Sequence, residues 1–138
     1  MKIRYLPHTA DIRMKIEGSS LEELFTAGVL GMGNILRDGF CDKNGPFMLK
    51  LKIELTAHDE TCLLIDFLSE VLSTSYAEKA IFCEVKFFEL TTKKIRAEIH
   101  GRQQTQGFDE EIKAVTYHEA DVQKNNNRDW ETLIIFDI

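Results

Sequence analysis

The chain has 138 residues, 43% of them apolar, and a formal net charge of −6. That length fits one domain able to bury roughly two thirds of its unfolded surface, and the acidic balance argues against an autonomous grip on RNA or DNA, which relies on a basic surface. No stretch reaches the roughly 20 apolar residues of a membrane span. The three cysteines, Cys41, Cys62 and Cys83, include no CxxC pair, so neither a disulfide framework nor a zinc knuckle is expected. The chain reads as a cytoplasmic protein with reduced thiols.

Ile12, Met14 and Ile16 alternate with Arg13, Lys15 and Glu17 before Gly18, which predicts a strand with one buried face beginning at Asp11. Ser20 followed by Glu23 makes a capping box, and Leu21, Leu24, Phe25, Gly28, Met32, Ile35 and Leu36 recur at helical spacing, so a helix is predicted over 20–37. Gly28, Gly31 and Gly33 each cost a helix up to about 1 kcal/mol relative to Ala, which points to close approach of its backbone to the sheet. Their GxxGxG order inside a helix is not the GxGxxG of a dinucleotide turn.

Beyond Pro46, the alternating Phe47, Leu49, Leu51, Ile53 and Leu55 predict a further strand. A second helix is predicted over 59–76, with Asp59 as its cap and Leu64, Phe67, Leu68, Val71 and Leu72 as its apolar stripe. Strands are predicted over 81–90, 93–102, 112–118 and 130–136. Thr91-Thr92 reads as a hairpin link, 103–111 as a longer polar loop containing Gly107, and Asn125-Asn126-Asn127 as a turn. With no repeat and no internal boundary, residues 1–138 form a single α+β domain: two layers, two helices packed on a largely antiparallel or mixed β-sheet. Lys50, Lys52, Lys93, Lys94 and Arg96 alternate along strand segments and read as a solvated sheet face, not a nucleic-acid groove. Cys62, on the second helix, reads as a core residue.

Three segments place polar groups at strand ends: His8-Thr9-Ala10-Asp11, the run from Lys113 to His118, and Asp137-Ile138. Strand ends are where folds usually display their sites. The apolar run Leu133-Ile134-Ile135-Phe136 ties this last end into the core, and Asp137 then neighbours the carboxylate that follows Ile138. Two adjacent anions repel unless a cation or a basic group neutralises them. Asp11 can join them. Oxygen donors without thiolates suit a hard ion such as Mg²⁺, Mn²⁺ or Ca²⁺, and a neutral His8 tilts the choice towards Mn²⁺ or another transition ion. The competing reading is an ordinary solvated strand terminus. Asp66 and Glu70 share one helix face at i, i+4 spacing, and a solvated acidic face is the simpler reading there too. No Ser or Cys has a recognisable base beside it, and His58, His100 and His118 have no neighbours that would make a ligand pair.

The HTADI segment at 8–12, SLEELF at 20–25, LLIDFLSEVL at 63–72, KAVTYH at 113–118 and the closing W…IIFDI together resemble the archease family, in order and over nearly the whole chain. The resemblance implies an α+β archease-like fold. It also implies an activator, not an enzyme, that accelerates the GTP- and Mn²⁺-dependent guanylylation of an RtcB-type RNA ligase in tRNA splicing and allows the ligase multiple turnovers. It implies a divalent metal ion (Ca, Mg or Mn) held by Asp11, Asp137 and Ile138, the last through main-chain or terminal oxygen. His8 and Lys113 follow as groups that support the ligands or touch the partner, and RNA would be met only through the ligase. The family helix often reads DWLEEL, from which Phe67 and Ser69 depart here. Two other functions fit the residues alone: a small metal-dependent phosphohydrolase using Asp11, Asp137 and His8 or Lys113, and a chaperone-like or RNA-interaction module.

Overall fold

The structure is a computed structural model that describes residues 1–7, 10–43 and 45–138. In chain order the elements are β1 (Lys2–Leu6), β2 (Asp11–Gly18), α1 (Leu21–Leu36), α2 (Phe40–Lys43), β3 (Leu49–Thr56), α3 (Glu60–Glu78), β4 (Ala80–Leu90), β5 (Lys94–Gln103), β6 (Ala114–Thr116), β7 (Gln123–Lys124) and β8 (Trp130–Asp137). The α+β class is as the sequence pattern implies, but the strands divide between two sheets. One has the order β1-β2-β8-β6, with β7 also paired to β8, and the other the order β3-β5-β4. Every one of these pairings is antiparallel.

Both long helices start where their caps predict. Ser20 accepts the Glu23 amide at 3.1 Å, and Asp59 accepts the Cys62 amide at 2.8 Å, satisfying amide donors that a helix start leaves without intrahelical partners. That bond holds the Asp59 carboxyl below the usual carboxylate range. α3 runs to Glu78 and ends on Lys79, whose φ of 52° places it in the left-handed region.

The core lies where the helices meet the inner faces of both sheets. Met14, Ile16, Ile134 and Phe136 line it from the first sheet, and Leu24, Phe25 and Met32 from α1. Phe67 and Leu68 of α3 and Ile95 and Ile99 of β5 complete it, all at most 1% exposed. The predicted close approach of α1 to the sheets holds at Gly31, where a Cβ would lie 2.3 Å from the Met14 sulfur, and at Gly33, where one would lie 3.3 Å from the Phe82 carbonyl. Gly28 instead packs most closely on α3, where a Cβ would lie 3.1 Å from the Leu68 methyls.

Two expectations about cysteine are overturned. Cys41 on α2 and Cys83 on β4 form a disulfide, with Cα atoms 5.5 Å apart. Spacing along the chain does not reveal this, because a one-turn helix after α1 carries Cys41 back over β4. Cys62 is only partly buried, on the first turn of α3 and off its apolar stripe.

Candidate functional site

Antiparallel pairing of β2 with β8 runs in unbroken register from Gly18 opposite Trp130 to Asp11 opposite Asp137. Asp11 is the first residue of one strand and Asp137 the last of the other, so the ladder brings the two acids together at its end. Directly opposed residues project from the same face with Cβ atoms about 4.5–5.5 Å apart. One position inward, Ile12 opposes Phe136, which also pairs with Val115 of β6. Phe136 is fully buried, while Asp137 is exposed. The apolar run thus anchors the strand up to the residue before the acid.

β6 closes the other side of β8. Ala114 lies opposite Asp137, and the Lys113 amide donates to the Asp137 carbonyl at 2.7 Å. Lys113 is exposed and leaves the main chain at the acid pair. Arg13, two residues beyond Asp11 on the same face, is paired across the sheet with Glu119. His8 lies outside the described residues.

Asp11 also lines a hollow of 450 Å³ with Tyr5, Asn34, Asp38, Asp109 and Glu110. The Asp109 amide donates to the Leu36 carbonyl at 2.7 Å, its carboxylate accepts the Asp38 amide at 3.0 Å, and Arg37 lies 3.6 Å from it. Tyr5, though exposed along its ring, donates its hydroxyl to the Gly31 carbonyl at 2.8 Å, and burial of that hydroxyl pushes its pKa up to about 12. Asp38, Asp109 and Glu110 carry no periodic signal in the sequence, because they come from the segments after α1 and β5.

A second constellation forms at the other end of β6. Tyr117 donates its hydroxyl to the Asp66 carboxylate, and both line a hollow of 500 Å³ with His58 and Cys62. The hydrogen bond to Asp66 raises the Tyr117 pKa to about 12. Burial, helped by Asp59 and Asp66, pushes the Cys62 thiol up, so this cysteine is not an activated nucleophile. Asp66 is therefore engaged by Tyr117, while Glu70, one turn on, is exposed.

The register sets Asp11 beside Asp137, with Ile138 next in the chain, and carboxylate and main-chain oxygens are donors that suit hard divalent ions. Among the described residues no three His, Cys, Asp or Glu side chains converge to enclose an ion. The two aspartates make an open edge, compatible with an ion whose other positions are filled from outside. Among the described residues, no helix is long and apolar enough to cross a membrane.

Comparison with known proteins is consistent across sequence and structure. The sequence profile of the Archease protein family (MTH1598/TM1083) matches residues 3–138. The archease of Methanosarcina acetivorans is 32% identical over 146 residues, which cover 99% of this chain and 96% of that protein. An archease-like protein of Drosophila melanogaster is also 32% identical, over 151 residues covering 100% of this chain and 91% of that one. The solution structure of Methanobacterium thermoautotrophicum protein 1598 superposes with a TM-score of 0.78 at 25% identity, covering 99% of this chain and 98% of the other. The crystal structure of a Thermotoga maritima protein described as an archease and possible chaperone shares the fold, with a TM-score of 0.63 at 20% identity and coverage of 100% and 98%. The chain belongs to the archease family.

Proposed function

We propose that this protein is an accessory factor, not an enzyme with its own turnover, that activates an RtcB-type RNA ligase in tRNA splicing. In this reading it accelerates GTP-dependent guanylylation of the ligase and lets the ligase turn over repeatedly. The observation that carries the proposal is the register that sets Asp11 opposite Asp137 at the end of β2 and β8. Like charges directly opposed across a ladder are destabilising, so their pairing at an exposed edge has a physical rationale when a cation sits between them.

Asp11, Asp137 and the Ile138 oxygens would hold a divalent ion, Ca²⁺, Mg²⁺ or Mn²⁺, leaving further positions for water or for groups of the ligase and its GTP. A divalent ion there supplies electrostatic stabilisation of phosphate charge. The chain's own residues do the rest. The buried Phe136 and the partly buried Ile12 anchor the edge to the core. The Lys113 amide fixes the Asp137 carbonyl, and the Lys113 ammonium is placed to meet a partner's carboxylate or phosphate. With a net charge of −6, RNA is met through the ligase and not by this chain directly. The proposed place of action is the cytoplasm, with the ligase.

The test is guanylylation of a cognate ligase by labelled GTP across Mn²⁺ concentrations, with sub-stoichiometric wild-type protein or its Asp137→Ala variant. Stimulation by wild type and not by the variant is the expected result. Equal stimulation by both would remove the acid pair from the mechanism, and stimulation by neither would send the search to phosphoester hydrolysis.

A further inference from the structure

We propose that Tyr76 is a positioning residue for the β2–β8 edge: its hydroxyl clamps the main chain of Ile112 and thereby sets where Lys113 emerges beside Asp137. The inference rests on the function proposed above and names a residue outside the acid pair that controls it.

Residues 104–113 join β5 to β6 without strand structure, so nothing in a sheet ladder fixes the direction in which the chain enters β6. Tyr76, on the last turns of α3, supplies that constraint. Its hydroxyl donates to the Ile112 carbonyl at 2.8 Å and accepts the Ile112 amide at 2.7 Å. One side chain thus satisfies both polar groups of one residue's main chain. The next amide in the chain, that of Lys113, donates to the Asp137 carbonyl at 2.7 Å. Two consecutive amides are therefore held in turn, the first by α3 and the second by the acid-bearing end of β8.

The clamp is itself rigid. The Tyr76 ring meets Phe108 edge-on, with centroids 5.3 Å apart and planes at 88°, a geometry that aromatic pairs favour. The Ile112 side chain is 1% exposed, so residue 112 is fixed through its side chain as well as its main chain. α3 packs against both sheets, which makes it a stable base from which to reach this loop. A phenylalanine at 76 would keep the ring contacts and lose only the two hydrogen bonds.

Tyr76→Phe separates positioning from folding. Hydrogen exchange at the Ile112 and Lys113 amides is expected to become at least about threefold to tenfold faster, the range that the loss of one hydrogen bond supports. Exchange at Met14 and Ile134, in the middle of the β2–β8 ladder, should accelerate no more than at 112 and 113, because the same lost bonds also lower the global unfolding free energy. In the ligase assay the Mn²⁺ concentration for half-maximal stimulation should rise, while the melting temperature falls by only about 2–6 °C. Unchanged exchange at 112 and 113 would overturn the inference. So would a variant that matches wild type at every Mn²⁺ concentration. A wild-type protein that gives no Mn²⁺-dependent stimulation would instead overturn the proposed function, and the exchange measurement would still decide whether the clamp exists.

Discussion

Asp11 and Asp137 are Cα partners at the last position of the β2–β8 ladder, with an apolar pair, Ile12 and Phe136, directly behind them. Two carboxylates on one face of an antiparallel pair repel, and cross-strand pairs are worth about 0.2–1 kcal/mol. Asp137→Asn is therefore expected to raise the melting temperature by about 1–4 °C in the absence of divalent ions. If the acid pair holds the ion as proposed, the order is expected to reverse with Mn²⁺ or Ca²⁺ present. An ion at 100 times its dissociation constant adds about 2.7 kcal/mol to the wild type and little to the variant. Melting curves with chelator and with excess ion check this. A variant that gains as much from the ion as wild type would place the ion elsewhere.

The bond from Tyr117 to Asp66 sets a second expectation. The neutral phenol donates to the carboxylate, whereas a phenolate would face it as a like charge, so the Tyr117 pKa rises from its ordinary 10.0 to about 12. A pKa raised in the folded state stabilises the fold fully below the unfolded value and loses that contribution as the pH climbs through the folded one. The window is pH 10 to about 12. Asp66→Asn should bring Tyr117 back towards its ordinary value and flatten the loss of stability across that window. The difference between phenolate absorbance titrations of wild type and Asp66→Asn isolates Tyr117 from Tyr5 and Tyr76. An unchanged titration would show that the carboxylate is not its partner.

The elements with strong periodicity were readable from sequence: β2 by its alternation, and α1 and α3 by their stripes and caps. β1 was not, because only Ile3 and Leu6 of its five residues are partly buried and the alternation is too short to register. Nor was the division into two sheets, since alternation tells which face of a strand is buried but not which strand lies beside it. The acid pair was nearly legible. Asp11 opens one strand pattern and Asp137 closes another, and only the register was missing. Asp38, Asp109 and Glu110 reach the same hollow from segments without periodicity. Tyr76 reads in sequence as the end of a helix, and its clamp on Ile112 depends on a loop path that no local pattern encodes. The disulfide was missed for the same reason, with Cys41 and Cys83 separated by 42 positions.

That disulfide carries its own prediction. Closing a loop of this length removes up to about 4 kcal/mol of chain entropy from the unfolded state, and measured values typically run about 2–4 kcal/mol. Reduction with a dithiol converts the bond to two thiols and should lower the unfolding free energy by about that amount. The folded reduced protein should keep its secondary structure, because Cys83 sits within β4, whose ladder with β5 does not depend on the sulfur. Urea unfolding with and without reductant, compared with a Cys41→Ser variant, checks the magnitude. Reductant should leave the variant unaffected, and equal midpoints for oxidised and reduced wild type would show that the link contributes nothing.

Lys113 separates main-chain from side-chain roles at the edge. Its amide donates to the Asp137 carbonyl, and that bond survives any substitution that keeps the N–H. The side chain is exposed, so Lys113→Ala should change stability by no more than about 0.5 kcal/mol and leave ion-induced stabilisation in place. In the ligase assay the loss of the ammonium should lower stimulation, and Lys113→Arg should restore part of it, because a guanidinium keeps the charge but changes the donor geometry. If Lys113→Ala stimulates as well as wild type, the residue serves the edge through its amide alone. If it loses ion-induced stabilisation too, the ammonium belongs to the balance of charge around Asp11 and Asp137 and not to the partner.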